Sequence, residues 1–349
     1  MNQRIPLYLL TGFLGAGKTT LLNQLVQLPE FARTLVIINE FGATPLDHKL
    51  VTRSNEEQIV ELSSGCICCT IRGDLAKTLS DAHWRFSRNN ERMFDRVIIE
   101  TTGLADPTPI LRTVIETPNL FDLYRLQGTV TLVDAVNGAA TLTTHTEARR
   151  QVGVADLLLF SKTELVDAAQ LAALTAQVRQ LNPTAPISHR TIDAVDLSQI
   201  LTLDHVEPVQ SETPLRDWLP TKGLTFAPLS AGQNAFFKVQ STSHSEADRI
   251  QSFCYELTTP IKVSALDQWL DALLPSLGHQ LLRMKAILHV EGFPGPVAVH
   301  AVQTLLHPAG VMENWPDENR SSLLVFITDG IDVAQLEQSL LILQGKSSN

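Results

Sequence analysis

Along the first two hundred residues, short unbroken apolar runs alternate with longer stretches in which apolar residues recur every three or four positions. The runs PLYLLTG, TLVIINE, QIVELSS, DRVIIE, GTVTLVDA, DLLLFSK and APISHRT are rich in β-branched residues and leucine. They lack in/out alternation, the pattern of strands covered by helices on both faces. Between them GKTTLLNQLVQL, GDLAKTLSDAHWRF, PTPILRTVIE and DAAQLAALTAQVRQL carry helical spacing. This order predicts an α/β domain, a P-loop type doubly wound and mostly parallel sheet.

Past residue 203 the texture changes. DHVEPVQSETPLRDWLPTKGLTFAPLSAG, residues 204–232, is rich in Pro, Ser, Thr and Gly, has weak periodicity and reads as a linker. FFKVQS, AILHVEGF, VAVHAVQTLLHP and SSLLVFITD then read as strands, with VSALDQWLDALLPSLG and VAQLEQSLLIL as helices among them. The expected organisation is a first domain over 1–203 and a second, smaller α+β domain with a mainly antiparallel sheet over 233–349.

Composition narrows the function classes. The 349 residues carry a formal net charge of −10, which argues against nucleic acid or an anionic membrane surface as partner. No run of about 18 uncharged apolar residues is present, and MNQRIPLYLLTG has neither the apolar length nor the cleavage site of a signal peptide. A cytoplasmic protein is expected. Three of the four cysteines fall within GCICC at 65–69. In a reducing compartment such a cluster points to metal binding or thiol chemistry rather than to a disulfide. Cys254, alone in SFCYEL, reads as a small buried apolar residue.

Residues 12–19, GFLGAGKT, fit G-x-x-x-x-G-K-[ST] between an apolar strand, Leu7–Leu10, and a helix, Thr20–Leu28. In that setting Gly15, Ala16 and Gly17 turn backbone N–H groups onto phosphates, and Lys18 reaches the β and γ oxygens. Thr19 binds Mg²⁺, with Thr20 beside it in the nucleotide-binding set. RVIIETTG at 96–103 ends an apolar strand in Glu100, followed three residues on by Gly103. A carboxylate there holds the Mg²⁺ shell, and Gly103 offers its N–H to the γ-phosphate, so that the loop senses hydrolysis. Lys18, Glu100 and Gly103 are the candidate catalytic residues.

In DLLLFSKTE at 156–164, Ser161, Lys162 and Glu164 follow another core strand. A carboxylate can accept both guanine donors, N1–H and the N2 amino group, while the Lys162 stem lies along the base. The same residues also fit a plain helix start with Glu164 in the first turn. Glu40, in NEFG at 39–42, stands where a switch loop would approach Mg²⁺. It is equally placed as a surface acid or as a ligand of a metal held by the cysteines.

Cys66, Cys68 and Cys69 are expected on one turn, between the QIVELSS strand and a helix starting near Gly73. Three thiolates suit Zn²⁺ and leave a fourth position for water or another segment. Glu40, Asp47, His48 and His83 are candidates among which the sequence does not choose. An incomplete site can exchange metal, whereas a closed one holds it for structure; a structural knuckle and a thiol redox site are the alternatives. The phosphate loop, the Glu100–Gly103 loop and the cysteine turn are all expected at the carboxyl ends of strands. The ten histidines are scattered, and His289, His300 and His307 read as satisfied or exposed strand residues.

Together TGFLGAGKTT, INEFG, GCICC, IIETTGLADP and SKTE, with RMKAILHVEG, VQTLLHP and SSLLVFI near the C-terminus, make the chain resemble the CobW-type GTPases. These are zinc-chaperone kin of the GTPases that load nickel into urease and hydrogenase, and the likeness is to their bacterial YjiA-like branch. It spans nearly the whole chain. The resemblance implies a cytosolic metallochaperone that uses GTP, Mg²⁺ and Zn²⁺ and whose GTP cycle moves zinc from Cys66, Cys68 and Cys69 to a client metalloprotein. It also implies a C-terminal domain that docks the client, and leaves homo-oligomerisation open. Glu164 stands where most members carry Asp, and Ile38 and Ala43 flank NEFG where many carry Glu. Two other classes remain open: a P-loop ATPase or small-molecule kinase with a structural zinc knuckle, and a non-catalytic nucleotide-dependent metal sensor.

Overall fold

The computed structural model describes residues 4–39, 57–61, 67–71, 75–88, 91–189, 200, 203, 219, 224–228, 249–307, 309–312, 315 and 320–345. The chain divides into two compact units: residues 1–142, 155–171 and 186–203 make the first, and residues 143–154, 172–185 and 204–349 the second.

In the first unit the apolar runs become strands. These are β1 (Ile5–Gly12), β2 (Thr34–Asn39), β3 (Glu57–Glu61), β4 (Ile67–Ile71), β7 (Arg96–Thr101), β8 (Tyr124–Asp134), β9 (Leu157–Ser161) and β10 (Ile187–His189). A small ribbon of β5 (Ser87–Arg88) and β6 (Glu91–Arg92) stands apart from the sheet, whose order is β10-β9-β8-β1-β7-β2-β4-β3. All neighbours run parallel except β3, which is antiparallel to β4. Every residue of β9, and all but one of β1 and of β8, is buried. Strands covered on both faces must be so, which is why their sequences do not alternate.

On one face α1 (Lys18–Leu25) packs Leu21, Leu22 and Leu25 with Tyr8, Leu10, Val36, Ile98, Val130 and Leu132. Elsewhere α2 (Leu75–Arg85), α3 (Thr108–Glu116) and α4 (Pro118–Leu123) neighbour one another, and the Tyr124 hydroxyl donates to the Leu79 carbonyl at 2.8 Å. β1 lies between β7 and β8, where the strand order reverses. The carboxyl ends of β7, β1, β8 and β9 therefore open side by side on one edge, the place where open α/β sheets bind ligands.

The second unit is built on a mainly antiparallel sheet of order β11 (Ala227–Pro228), β12 (Ile250–Leu257), β17 (Ser322–Asp329), β13 (Leu281–Leu288), β14 (Val297–Val302), β15 (Leu305–Leu306), with β16 (Gly310–Val311) paired to β14. Helices α8 (Val263–Leu277) and α9 (Val333–Leu340) bury Trp269, Leu273, Leu336 and Leu340 with Met284, Val299 and Phe326. Trp269 meets the Phe326 ring edge-on, with centroids 6.3 Å apart.

Helix α6 (Thr146–Gly153), though it lies early in the chain, belongs to this unit. Arg150 pairs with Asp329 at 2.8 Å, and a Cβ on Gly153 would stand 2.9 Å from Leu282. Both expected fold classes are thus present. Trp269→Ala is expected to lower the unfolding free energy of the second unit by about 3–5 kcal/mol, measured by urea unfolding followed by circular dichroism.

Candidate functional site

β1 ends at Gly12, and after five intervening residues the chain enters α1 at Lys18. Gly12, Gly15 and Gly17 have φ of 141°, 73° and 92°, a range that L side chains rarely adopt, so the turn itself demands glycine. A Cβ on Gly12 would also lie 2.5 Å from the Leu132 carbonyl oxygen of β8. Gly17 precedes the first turn of α1, whose N–H groups open at the strand edge beside Lys18 and Thr19. Lys18 Nζ donates to the carbonyls of Gly12 at 2.8 Å and Phe13 at 3.2 Å. Burial pushes this ammonium below its ordinary pKa, an effect the Glu100 charge offsets in part. Anionic phosphate oxygens would favour the charged form further.

Glu100 is the penultimate residue of β7 and only 4% exposed. Its Oε1 accepts the Thr19 hydroxyl at 2.7 Å. A hydroxyl and a carboxylate converging at the mouth of a phosphate loop are hard oxygen donors and fit Mg²⁺. Thr11 and Thr101 join the ends of β1 and β7 through a 2.8 Å hydroxyl contact. The loop after β7 then presses on the phosphate loop: a Cβ on Gly103 would lie 2.6 Å from the Leu14 nitrogen and 2.7 Å from its Cα.

The Ser161 hydroxyl, at the end of β9, donates to the Ala16 carbonyl at 2.8 Å and ties this strand to the phosphate loop. Lys162 follows in the left-handed region with φ of 59°, a conformation that costs a non-glycine residue about 1–2 kcal/mol. Its Nζ lies 2.6 Å from Asp134 Oδ2 at the end of β8. Thr163–Leu165 form a single 3-10 turn in which Glu164 is exposed, and α7 (Ala168–Leu181) begins only afterwards.

Asp134 is not among the residues expected from sequence, although it carries the same signal as Glu100, an acid ending an apolar strand. Burial alone would raise its pKa, but Lys162, Asn137 and the N–H groups of Val136 and Asn137 outweigh burial and hold the carboxyl below its ordinary value.

Residues 6–189 match the family described as CobW/HypB/UreG, nucleotide-binding domain, and residues 250–343 match Cobalamin synthesis protein cobW C-terminal domain. The chain belongs to the CobW/HypB/UreG family. Among members of that family, the zinc chaperone YjiA of Escherichia coli (strain K12) is 33% identical over 336 residues, 95% of this chain and 96% of that protein. The zinc-regulated GTPase metalloprotein activator 1 of Schizosaccharomyces pombe is 34% identical over 207 residues, 57% of this chain and 49% of the relative. The crystal structure of Zn(II)-bound YjiA GTPase from E. coli is similar with a TM-score of 0.68 at 31% identity, over 98% of this chain and 99% of that one.

In this CobW-type chain Glu40, Asp47, His48 and Cys66 lie outside the described residues, and so do the side chains of Cys68 and Cys69. The backbone of the last two corrects the expected turn: both lie within β4, in register with Val36 and Ile37 of β2. The run ICCTI pairs on both sides, with β2 and with β3, and its isoleucines and threonine favour that extended state. Ile99, Ile37 and Cys69 form one row across three strands, next to the row Glu100, Ile38, Thr70. Two strand spacings separate β4 from β7, about 10 Å.

His83, on α2, meets the Trp84 ring edge-on, and no group of three or more His, Cys, Asp or Glu suited to a metal occurs among the described residues. His300 and His307 are buried and stacked at 4.2 Å, while His289 lies edge-on to Trp315. Cys254 is buried, its thiol pKa pushed up to about 12 by burial. Among the described residues no helix is long and apolar enough to cross a membrane.

Two outcomes follow from this geometry. Gly103→Ala must displace the Leu14 backbone and is expected to weaken nucleoside triphosphate binding about tenfold or more, measured by equilibrium titration. Because the folded-state pKa of Asp134 lies below the unfolded value of 3.8, its stabilisation is complete above that value and lost as pH falls through the folded one. Asp134→Asn should therefore flatten the loss of stability as pH falls below about 3.8, read from urea melts.

Proposed function

We propose that this chain is a GTP-hydrolysing zinc chaperone in which nucleotide state changes the geometry at Cys66, Cys68 and Cys69 and so gates transfer of zinc to a client metalloprotein. The observation that carries the reading is the 2.7 Å meeting of Thr19 with Glu100 beside the buried Lys18, in a chain whose relatives are named zinc chaperones and a zinc-regulated GTPase. Residues 1–203 form the GTPase domain, 204–232 the linker and 233–349 the client-docking domain of a cytoplasmic protein.

In this reading the triphosphate lies along Gly15, Ala16, Gly17, Lys18, Thr19 and Thr20, and the guanine along Ser161, Lys162 and Glu164. Mg²⁺ held by Thr19 and Glu100, with Glu40 at its water shell, supplies charge neutralisation for the phosphates. Lys18 bears on the β and γ oxygens, positively charged where negative charge builds. Water attacks the γ-phosphorus, the bond to the β–γ bridging oxygen breaks, and GDP and phosphate leave. Gly103 loses its γ-phosphate contact at that point. β7, β2 and β4 provide a contiguous path from there to the row of Cys69, and zinc is the cargo released.

The test is equilibrium Zn²⁺ affinity of the protein alone, with a non-hydrolysable GTP analogue and with GDP, beside turnover of GTP and ATP. An affinity difference of about tenfold between the nucleotide states, with GTP preferred, is expected. Nucleotide-independent zinc affinity with preferential ATP turnover would replace this reading by an ATPase or small-molecule kinase with a structural zinc knuckle. Tight nucleotide binding without turnover would make the protein a sensor. Lys18→Ala should cut nucleotide binding and turnover about 100-fold while sparing zinc affinity. Cys66→Ala, Cys68→Ala and Cys69→Ala should each weaken zinc binding tenfold or more, roughly, and leave nucleotide binding of the metal-free protein intact.

A further inference from the structure

Asp134 closes β8 in register with Ser161 of β9, and the Ala135 N–H donates to the Ser161 carbonyl at 2.9 Å. Its carboxylate gathers four donors. Oδ1 accepts the N–H groups of Val136 at 2.8 Å and Asn137 at 3.3 Å; Oδ2 accepts Asn137 Nδ2 at 3.1 Å and Lys162 Nζ at 2.6 Å. The two oxygens thus serve different ends. One shapes the loop that leaves β8, and the other reaches across to the loop that leaves β9.

Lys162 is where that reach matters. It is one of three non-glycine residues with positive φ among the described residues, so its backbone needs an external hold. The αL turn takes the chain from β9 into the Thr163–Leu165 turn, where the Leu165 N–H donates to the Lys162 carbonyl at 3.1 Å. With the ammonium anchored and the side chain 37% exposed, the four-carbon stem is kept at the strand edge as an apolar strip. Val136 at 48% and Leu165 at 66% exposure add apolar surface on the two loops joined by the ion pair.

We infer that Asp134 is the positioning residue of the nucleobase site: by holding Lys162 it fixes both the stem that faces a purine ring and the turn that presents Glu164 to the guanine N1–H and N2 donors. The inference rests on the guanine reading above and assigns a specificity role to a residue outside the S-K-T-E run. It also explains how a glutamate, one methylene longer than aspartate, serves at position 164. The turn beneath it is held from a second strand, so the extra length is accommodated in the side chain alone.

Asp134→Asn keeps an acceptor for the Val136 and Asn137 N–H groups but removes the charge that holds Lys162. Lys162→Met breaks the same ion pair from the other end. Dissociation constants for fluorescent GDP and ADP analogues are measured on the full chain for the wild type, both single variants and the double variant, with thermal melts of each. Asp134→Asn is expected to weaken GDP binding about five- to tenfold while ADP changes by less than about twofold, with a cooperative melt at a lower temperature than that of the wild type.

The double variant should bind GDP no worse than Lys162→Met, because the two residues act as one unit. An unchanged GDP-to-ADP ratio in Asp134→Asn, or additive losses in the double variant, would overturn the inference. If Asp134→Asn fails to fold, Lys162→Met decides: a retained GDP-to-ADP ratio overturns it. A wild type that binds ADP as tightly as GDP overturns the guanine reading itself, and the inference with it.

Discussion

On neither side of the phosphate loop is there room for a single methyl group. A Cβ on Gly12 would be driven into the Leu132 carbonyl at 2.5 Å, and one on Gly103 into the Leu14 nitrogen at 2.6 Å. The loop is therefore held between β8 and the segment after β7, with no slack to absorb a shift in either. Its lysine and threonine inherit their positions from that clamp. Lys18 folds back on the carbonyls of Gly12 and Phe13, and Thr19 meets Glu100.

Two acids complete the arrangement in parallel ways. β7 and β8 flank β1, and each ends near a carboxylate that reaches to a residue of a neighbouring motif: Glu100 to Thr19, Asp134 to Lys162. Ser161 closes the circuit by donating to the Ala16 carbonyl. The elements that would read phosphate, metal and base are thus bound to one another through side chains at one sheet edge. In the proposed reading, a change at the γ-phosphate position would have direct mechanical neighbours. The parallel pairing of β7, β2 and β4 extends that neighbourhood to the row of Cys69.

What could be read ahead of the structure, and what could not, follows from how far each feature reaches along the chain. The glycines of the phosphate loop were legible because positive φ is a local demand, met at Gly12, Gly15 and Gly17. Asp134 was not, since its meaning depends on a lysine 28 residues away. An acid closing a strand otherwise looks like a solvated turn. ICCTI is too short, at five residues, to show a period, and only pairing with β2 on one side and β3 on the other makes it a strand. Nothing local in the sequence TEARRQVG of α6 announces that Arg150 pairs with Asp329, 179 positions later.

The amino-acid sequence by itself determined many local conformations: that the seven apolar runs of the first two hundred residues are strands, where glycine must turn the chain, and that a phosphate loop sits between a strand and a helix. Those choices depend on sterics and solvation within a few residues. Only the tertiary structure decided which strand ends lie side by side, which carboxylate holds Thr19 or Lys162, and that Cys68 and Cys69 lie inside a strand. Such contacts close loops of tens to hundreds of residues, at an entropic cost that no local preference can offset. They form because burying both faces of the parallel sheet brings the strand ends together.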